Sequence, residues 1–282
     1  MKLSELGELG LLAELERRGL TQAIEHDAAQ VGGLVVTQDA LVEGVHFRLD
    51  LISWRDLGWR TAAVNLSDLA ASGADPLGLI VTLGAPGDTE VEGVLELYEG
   101  IAETGVPVVG GDTTAADRLV LSATALGRSQ RVPGRAGARP GDTLVVTGSL
   151  GAAGAAFRNR QLLRPPLRLE EGRELAAHAH AMIDVSDGLA VDAGHLARRS
   201  GCRVEIQLER VPLAEGAAID DLGFGEDYEL LAAVARSGRF AAVGRCVEGE
   251  GVALTLDGEP YELRGWEHFA SDRSVGSGRV ET

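Results

Sequence analysis

Several aspartates of this chain stand among glycines or small apolar residues, where a carboxylate needs a partner. Asp68 lies in NLSDLAASGADP, Asp112 in VGGDTT, and Asp184 and Asp187 in IDVSDGL, while Asp39 follows a short apolar run. Burying an unpaired carboxylate is costly. Oxygen ligands without clustered histidine or cysteine favour Mg²⁺ or Mn²⁺ over zinc. The hypothesis is that these acids converge on divalent cations; taken singly, each also fits a solvated helix or turn residue.

The charge balance excludes several classes of protein. The chain has 43 acidic and 26 basic residues and a net charge of −17, which argues against binding to nucleic acid or to anionic membranes. Lys2 is the only lysine. A Walker A loop, a protein-kinase site and lysine Schiff-base chemistry each need an internal lysine, so all three are excluded. If phosphate esters are bound, metal ions and arginines must neutralise them.

Length and composition predict a cytoplasmic protein of two domains. The 282 residues, 45% of them hydrophobic, suffice for a full core. No apolar run approaches the roughly 20 residues that span a bilayer, and the first residues lack a signal-peptide pattern. Cys202 and Cys246 have neither metal-binding nor redox spacing, so they are predicted to be reduced core residues.

The elements that must position these acids alternate between helices and strands, which predicts the α/β class with mixed sheets. One helix is predicted over 54–71, with Ser53 as its cap and Asp56 completing a capping box. Asp39 is expected directly after a strand at 34–37, and GGDTT at the end of a strand at 106–109. Further helices are predicted over 3–20, from 88 or 89 to 104, over 151–158 and 169–180, and from SDGL at 186–189 to about 199. Further strands are predicted over 77–83, 119–126, 143–147, 181–185, 203–208, 252–256 and 261–263.

A segment rich in glycine, proline and arginine at 127–140 predicts the domain junction. The expected division is an N-terminal domain over 1–134, a C-terminal domain over 135–270 and a disordered tail over 271–282. The glycines of GSLGAAG do not have the Rossmann spacing, so this motif is interpreted as a closely packed helix start.

NLSDLAASGADP, VGGDTT, IDVSDGL and GEDYEL, together with LVEGVHF behind Asp39, occur here in the order found in one family. The chain resembles thiamine-monophosphate kinase, within the aminoimidazole ribonucleotide synthetase superfamily, over residues 3 to 269. The resemblance implies two α/β domains, a homodimer paired through the N-terminal domains, and a cluster of Mg²⁺ ions. It also implies ATP-dependent phosphorylation of thiamine monophosphate to thiamine diphosphate by direct in-line transfer.

The resemblance also implies site residues, carried over position by position. The metal ligands would be Asp27, Thr37, Asp39, Asp68, Asp112, Asp184 and Asp187, of which Asp68, Asp112 and Asp187 are assigned to catalysis. The ATP contacts would be Tyr98, Gly111, Asp112, Arg135 and Ser186. Thiamine monophosphate would contact His46, Glu226 and Trp266. Tyr98 fits core packing equally well, and Trp266 fits a partly buried surface aromatic equally well. For His46, a hydrogen-bonded structural histidine is the commoner case.

Three departures from the family pattern fall on the expected site. Glu25, His26 and Asp27 stand where the family has Gly-Asp-Asp, Gln38 stands where a second hydroxyl residue precedes Asp39, and Phe224 replaces a glycine. These departures keep two alternatives open. One is another ATP-using superfamily enzyme with a different substrate, and the other is a nucleotide-binding dimer without turnover.

Overall fold

The computed structural model describes residues 2–21 and 26–266, in which two mixed sheets carry helices. The first half contains α1 (Leu3–Arg17), β1 (Ala29–Val31), β2 (Leu34–Val42), α2 (Trp54–Ala71), β3 (Asp75–Ala85), α3 (Val91–Ala102), β4 (Val108–Ala115) and β5 (Val120–Arg128). The second half contains β6 (Thr143–Val146), α4 (Ala152–Arg158), α5 (Leu169–Ala176), β7 (Ala181–Asp184), α6 (Leu189–Ser200), β8 (Arg203–Gln207), β9 (Leu230–Val234), β10 (Ala241–Val247), β11 (Gly251–Leu256) and β12 (Glu259–Tyr261). Short 3₁₀ turns lie at Leu208–Arg210 and Ile219–Gly223.

The first sheet has the order β1-β2-β5-β3-β4, with β3 and β4 parallel and the other pairs antiparallel. Its strands alternate, so that Leu121, Ala123 and Ala125 of β5 are buried while the residues between them are half-buried. The buried face packs against α2 and α3. These helices cross closely, because a Cβ on Gly58 would lie 1.8 Å from the Leu97 carbonyl oxygen.

The second sheet has the order β12-β11-β8-β10-β6-β9-β7, with β8 and β11 parallel and the other pairs antiparallel. One face packs against α6, where Leu189, Ala193 and Leu196 are buried. The other face packs against α5 and the end of α2, where Ala70 and Ala71 join the buried cluster. The helix α2 therefore belongs to the cores of both halves.

The predicted helix over 54–71 is confirmed at both ends. The Ser53 hydroxyl accepts a hydrogen bond from the Asp56 amide at 3.1 Å and donates one to its carboxylate at 2.7 Å. No helix in the part of the chain that the structure describes is long and apolar enough to cross a bilayer. Cys202 and Cys246 are free and buried, as predicted.

Two strand predictions were wrong in a way that matters for the site. Asp39 lies inside β2, and Asp112 lies inside β4, so neither follows a strand end. All eight residues of β4 are exposed, and an edge strand of this kind has no apolar alternation to detect. The prediction also omitted β1 and β10, extended α1 to residue 20 and α5 to residue 180, and placed the cap of α3 at Asp88 or Thr89 rather than Glu90.

Residues 129–142, between β5 and β6, contain no helix or strand. This agrees with a junction at 127–140, and the division at 134 and 135 stays a prediction. The predicted tail at 271–282 and the end of the predicted C-terminal domain at 267–270 lie outside the described residues.

Candidate active site

A cavity of about 1010 Å³ lies between the two halves and gathers most of the predicted site residues. Its lining includes Asp27, Thr37, Asp39, His46, Asp68, Arg135, Asp184, Ser186, Asp187, Glu226 and Trp266. These residues come from β2, α2, the end of β7 and the connecting segments of both halves. The cavity is therefore built only when the two halves fold together.

Three carboxylates converge in this cavity. Asp27, Asp68 and Asp184 each place one oxygen within 4.8 Å of the others. The Thr37 hydroxyl donates a hydrogen bond to Asp68, and the Ser67 hydroxyl donates one to Asp184 at 2.6 Å. Arg135 Nε donates to Asp27 Oδ1 at 2.7 Å. This set of oxygen donors fits a hard divalent cation such as Mg²⁺.

The carboxylates of this cluster have raised pKa values, so positive charge is needed to keep them ionised. Burial raises the pKa of Asp184 to about 8, and the Asp27 charge adds to the shift. Burial also raises the pKa of Asp68 well above its usual value, with further repulsion from Asp184 and Asp39. For Asp27, burial raises the pKa and Arg135 opposes it. Bound cations would stabilise the ionised carboxylates that this pocket otherwise disfavours.

The motif NLSD on α2 fixes the cluster through residues that the sequence analysis did not select. Asn65 Oδ1 accepts a hydrogen bond from the Asp39 amide at 2.9 Å, and its amide group donates to the Thr61 carbonyl at 3.1 Å. Ser67 holds Asp184 of the second half, and Asp68 holds Thr37 of the first. Asn65 and Ser67 are 1% and 2% exposed, so polar residues at buried helical positions were the available signal.

The SDGL loop after β7 is held by a buried aspartate of α6. Asp192 Oδ2 accepts hydrogen bonds from the Ser186 and Asp187 amides at 3.0 and 3.1 Å. On its other side, the Ser186 carbonyl accepts from the Glu226 amide at 2.8 Å, and the Asp187 carbonyl accepts from the Trp266 amide at 2.9 Å. Backbone hydrogen bonds thus join three segments that line the cavity.

The GEDYEL motif carries three acids, each with its own partner. Glu226 pairs with Arg60, and Glu229 with Arg168 at 2.6 Å. Asp227 accepts from the Gly151 and Ala153 amides at 2.7 and 3.3 Å. GSLGAAG is therefore a closely packed start of α4, as predicted, rather than a dinucleotide loop.

Three predicted ATP contacts do not line the cavity of this chain. Tyr98 lies on α3 and packs against the first core. Gly111 and Asp112 lie on the outer strand β4, where Asp112 pairs with Thr82 and the row continues through Ser122 to Ala40 of β2. Three inter-strand steps separate Asp112 from β2, which is roughly 14 Å. His46 lines the cavity, and its Nδ1 accepts a hydrogen bond from the Val42 amide at 3.0 Å.

Comparisons with known proteins show the family to which this chain belongs. The chain matches the family AIR synthase related protein, with the N-terminal domain over 25–129 and the C-terminal domain over 139–256. The thiamine-monophosphate kinase of Aquifex aeolicus is 33% identical, covering 95% of this chain and 100% of that protein. That of Methanopyrus kandleri is 37% identical, covering 83% of this chain and 85% of that protein.

The chain belongs to the thiamine-monophosphate kinase family. The solved structure described as AaThiL complexed with AMPPCP and TMP has a TM-score of 0.85 at 33% identity, and covers 95% of this chain and 99% of that one. A HypE–HypF complex, with a TM-score of 0.76 at 19% identity over 90% of this chain and 99% of that one, shares the fold alone.

Of the residues that depart from the expected family pattern, His26, Gln38 and Phe224 line the cavity. His26 lines it, and a Cβ on Gly134 would lie 2.0 Å from His26 Nδ1, so glycine at 134 makes room for the imidazole. Gln38 donates a hydrogen bond to the Ser122 hydroxyl at 3.1 Å. Phe224 lines the cavity and packs on Phe157, with 5.1 Å between ring centroids. Glu25 lies outside the described residues.

Proposed function

We propose that this protein transfers the γ-phosphoryl group of ATP to thiamine monophosphate, giving thiamine diphosphate and ADP. The observation that carries the proposal is the convergence of Asp27, Asp68 and Asp184, from both halves, in the interdomain cavity. The family membership and the related structure with an ATP analogue and thiamine monophosphate support it.

Divalent cations would be held by the clustered acids and their neighbours. The residues that fit are Asp27, Thr37, Asp39, Asp68, Asp184 and Asp187. When bound, Mg²⁺ neutralises phosphate charge and aligns the reacting groups. The acceptor is an already ionised phosphate oxygen, so no side chain is needed as a general base. The side chains of the protein would hold the cations, orient the two substrates and screen the charge of their phosphates.

Arg135 and Ser186 are proposed to hold the ATP phosphates. The Arg135 guanidinium lines the cavity beside the acid cluster, and in a chain without internal lysine it is a phosphate-binding cation of suitable geometry. Its ion pair with Asp27 places it at the metal ligands. A phosphate bound here contacts both the arginine and the cations, which is the arrangement that phosphoryl transfer requires.

Thiamine monophosphate is proposed to bind at the end of the cavity lined by His46, Glu226 and Trp266. Phe224 and Tyr228 also line the cavity, which therefore offers aromatic faces. A cationic thiazolium ring is attracted to such faces. Phe224 thereby supplies, in this chain, an apolar surface where the family has a glycine.

We infer a homodimer formed through the first sheet. The edge strand β4 exposes Val108 and Val109, and its neighbour β3 exposes Leu77 and Ile80, so this side of the sheet has an apolar surface of the kind that other chains cover. Since Gly111 and Asp112 lie on this edge and away from the cavity, their predicted ATP and metal contacts would be made in the partner's cavity. Tyr98 lies on α3 and not on this edge, and its contact with ATP stays a prediction from the family resemblance. The ATP substrate and the two buried free thiols favour the cytoplasm.

The test is an assay of purified protein with ATP, Mg²⁺ and thiamine monophosphate, with thiamine diphosphate measured by chromatography. Formation of thiamine diphosphate that stops on addition of EDTA is the expected result. Binding of ATP without product at high Mg²⁺ would indicate a dimer without turnover. ADP formed only with another phosphorylated acceptor would indicate a different substrate.

A further inference from the structure

Arg60 lies on α2, just over two helical turns before Asp68, and its residue is 1% exposed. A fully buried arginine needs a charged partner, because its guanidinium cannot be neutralised. Its Nη2 forms an ion pair with Glu226 Oε1, and its Nη1 donates a hydrogen bond to the Leu163 carbonyl at 3.3 Å. The guanidinium carbon lies 5.9 Å from the centroid of the Tyr228 ring. The Arg60 side chain thus contacts two residues of the GEDYEL segment, Glu226 and Tyr228.

This segment has an unfavourable backbone conformation. Glu226 and Tyr228 both adopt positive φ, at 59° and 51°, which side-chain-bearing residues rarely do. Such residues persist only where the surroundings hold them. The backbone is held by the hydrogen bonds from the Glu226 and Tyr228 amides to Ser186 and Val185, at 2.8 and 2.9 Å. The side chain of Glu226 is held by Arg60.

We propose that Arg60 is a positioning residue for substrate recognition, and this rests on the proposed function. It holds Oε1 of Glu226, a residue that lines the cavity proposed to bind thiamine monophosphate. The Glu226 carboxyl is 23% exposed and lines the cavity, whereas the Arg60 side chain is 2% exposed and does not. Arg60 therefore acts through Glu226 and not by touching the substrate.

The ion pair with Arg60 also gives Glu226 a different role from the other acids of the cavity. Arg60 cancels the charge of Glu226, which leaves the cluster of Asp27, Asp68 and Asp184 as the attractive site for cations. A carboxylate fixed on a buried guanidinium is a rigid hydrogen-bond acceptor, suited to a donor group on a neutral or cationic ring. The sequence position of Arg60, on the helix that also carries Asp68, links the substrate end of the cavity to its metal end.

The decisive experiment compares Arg60→Met, Glu226→Gln and the double variant by steady-state kinetics with each substrate varied. Arg60→Met is expected to raise KM for thiamine monophosphate about ten- to a hundredfold, the usual effect of losing a charged hydrogen bond, with KM for ATP nearly unchanged. The double variant should be no worse than Glu226→Gln alone. Arg60→Lys, which keeps the charge, should recover part of the loss.

Arg164→Met is the matched control. Arg164 lies between α4 and α5, pairs with Asp56 and Glu103, and stacks on Trp59 at 5.2 Å. Its ion-pair partners do not include Glu226, so its loss should leave both KM values unchanged.

Two results would overturn the proposal. One is an equal rise in both KM values together with a lower melting temperature, which indicates a purely structural arginine. The other is a double variant worse than Glu226→Gln, because Arg60 would then act apart from Glu226. If Arg60→Met does not fold, the double variant, which leaves no unpaired charge, still makes the second comparison. If the wild type makes no product, the proposed function fails. Calorimetry of thiamine monophosphate binding to the same variants then tests the role of Arg60. If the wild type does not bind thiamine monophosphate, the proposed function and the role of Arg60 are both overturned.

Discussion

Asp68 shows how a single residue links the sequence to the chemistry. It stands between Leu66, Leu69 and alanines in the sequence of α2, and its carboxylate lies in the cavity, where the Thr37 hydroxyl donates to it. Burial and the neighbouring charges of Asp184 and Asp39 raise its pKa well above the usual value, so its ionised form is disfavoured. Such acids lower stability when they ionise without cations, and they gain their function when cations are bound.

Asp68→Asn is expected to lower kcat at least about a hundredfold, because a metal ligand is lost while the shape is kept. The melting temperature in EDTA should not fall, since the variant removes a disfavoured buried charge and Asn can still accept from Thr37. Kinetics and thermal unfolding check both parts. The matched control is Asp88→Asn at an exposed turn. Near-normal turnover in Asp68→Asn would remove Asp68 from the metal site.

The raised pKa of Asp184 predicts how Mg²⁺ binding depends on pH. From its ordinary value of 3.8 the pKa rises to about 8, so between these values the folded metal-free protein holds a proton that the unfolded chain releases. The stabilisation that this proton gives to the folded protein is complete below pH 3.8 and is lost as the pH rises through about 8. Because Mg²⁺ competes with that proton, the increase in melting temperature caused by Mg²⁺ should grow from pH 5.5 to pH 8.5, conditions chosen to bracket the window. Thermal unfolding in Mg²⁺ or in EDTA, at an ionic strength matched with NaCl, measures this increase. An increase in melting temperature that does not depend on pH would contradict the prediction.

At the scale of elements, α2 is the part on which the site depends. It packs against α3 and the first sheet, contributes Ala70 and Ala71 to the second core, and presents Asp68 to the cavity. Its buried Asn65 and Ser67 form hydrogen bonds with Asp39 and Asp184, which also line the cavity. Its crossing with α3 is set by glycines: Cβ atoms on Gly58 and Gly100 would lie 1.8 Å from carbonyl oxygens of the opposite helix. A small displacement of α2 would therefore move ligands of both halves at once.

Gly58→Ala is expected to lower the free energy of unfolding by about 1–3 kcal/mol, because the added methyl forces the two helices apart. Activity should fall with it, since Asp68 moves with the helix. Urea unfolding gives the change in free energy. Gly194→Ala in α6 is the matched control: its Cβ would meet only Val252, at 3.8 Å, so this variant should be as stable as the wild type or more so. Equal stability of the two variants would contradict the packing argument.

At the scale of the whole molecule, one chain does not bring together all the predicted ligands. The cavity is lined by the predicted site residues of both halves, except Tyr98, Gly111 and Asp112. The last two lie on β4, whose eight residues are all exposed. An outer strand with exposed valines and a cavity lacking part of its expected nucleotide contacts together favour a functional dimer.

Val109→Glu is expected to shift the protein from dimer to monomer, because Val109 is 59% exposed on the outer strand and a carboxylate there opposes burial. Activity should fall at least about tenfold if the partner's Asp112 serves the cavity. Analytical ultracentrifugation and the kinase assay check the two parts. Val91→Glu, at another exposed valine, is the matched control. An active monomer would show that Asp112 is not needed from the partner.

The sequence alone determined α2 and the motifs on and around it. Its cap, its end and its buried stripe are properties of contiguous residues, so Trp54–Ala71 could be predicted to the residue. Asp68 and Asp184 were expected in one cluster because each stands among small or apolar residues, where a lone charge is costly, whereas Asp27 was expected there only from the family resemblance.

The tertiary structure alone decided the rest. The extents of β2 and β4 depend on partner strands distant in the chain, and β4 shows no alternation because neither of its faces is covered. The bonds from Asn65 to Asp39, from Ser67 to Asp184 and from Arg60 to Glu226 join residues that no local pattern connects. Local periodicity and capping depend on neighbours along the chain, whereas pairing across a cavity depends on how two separate cores pack against the same helix.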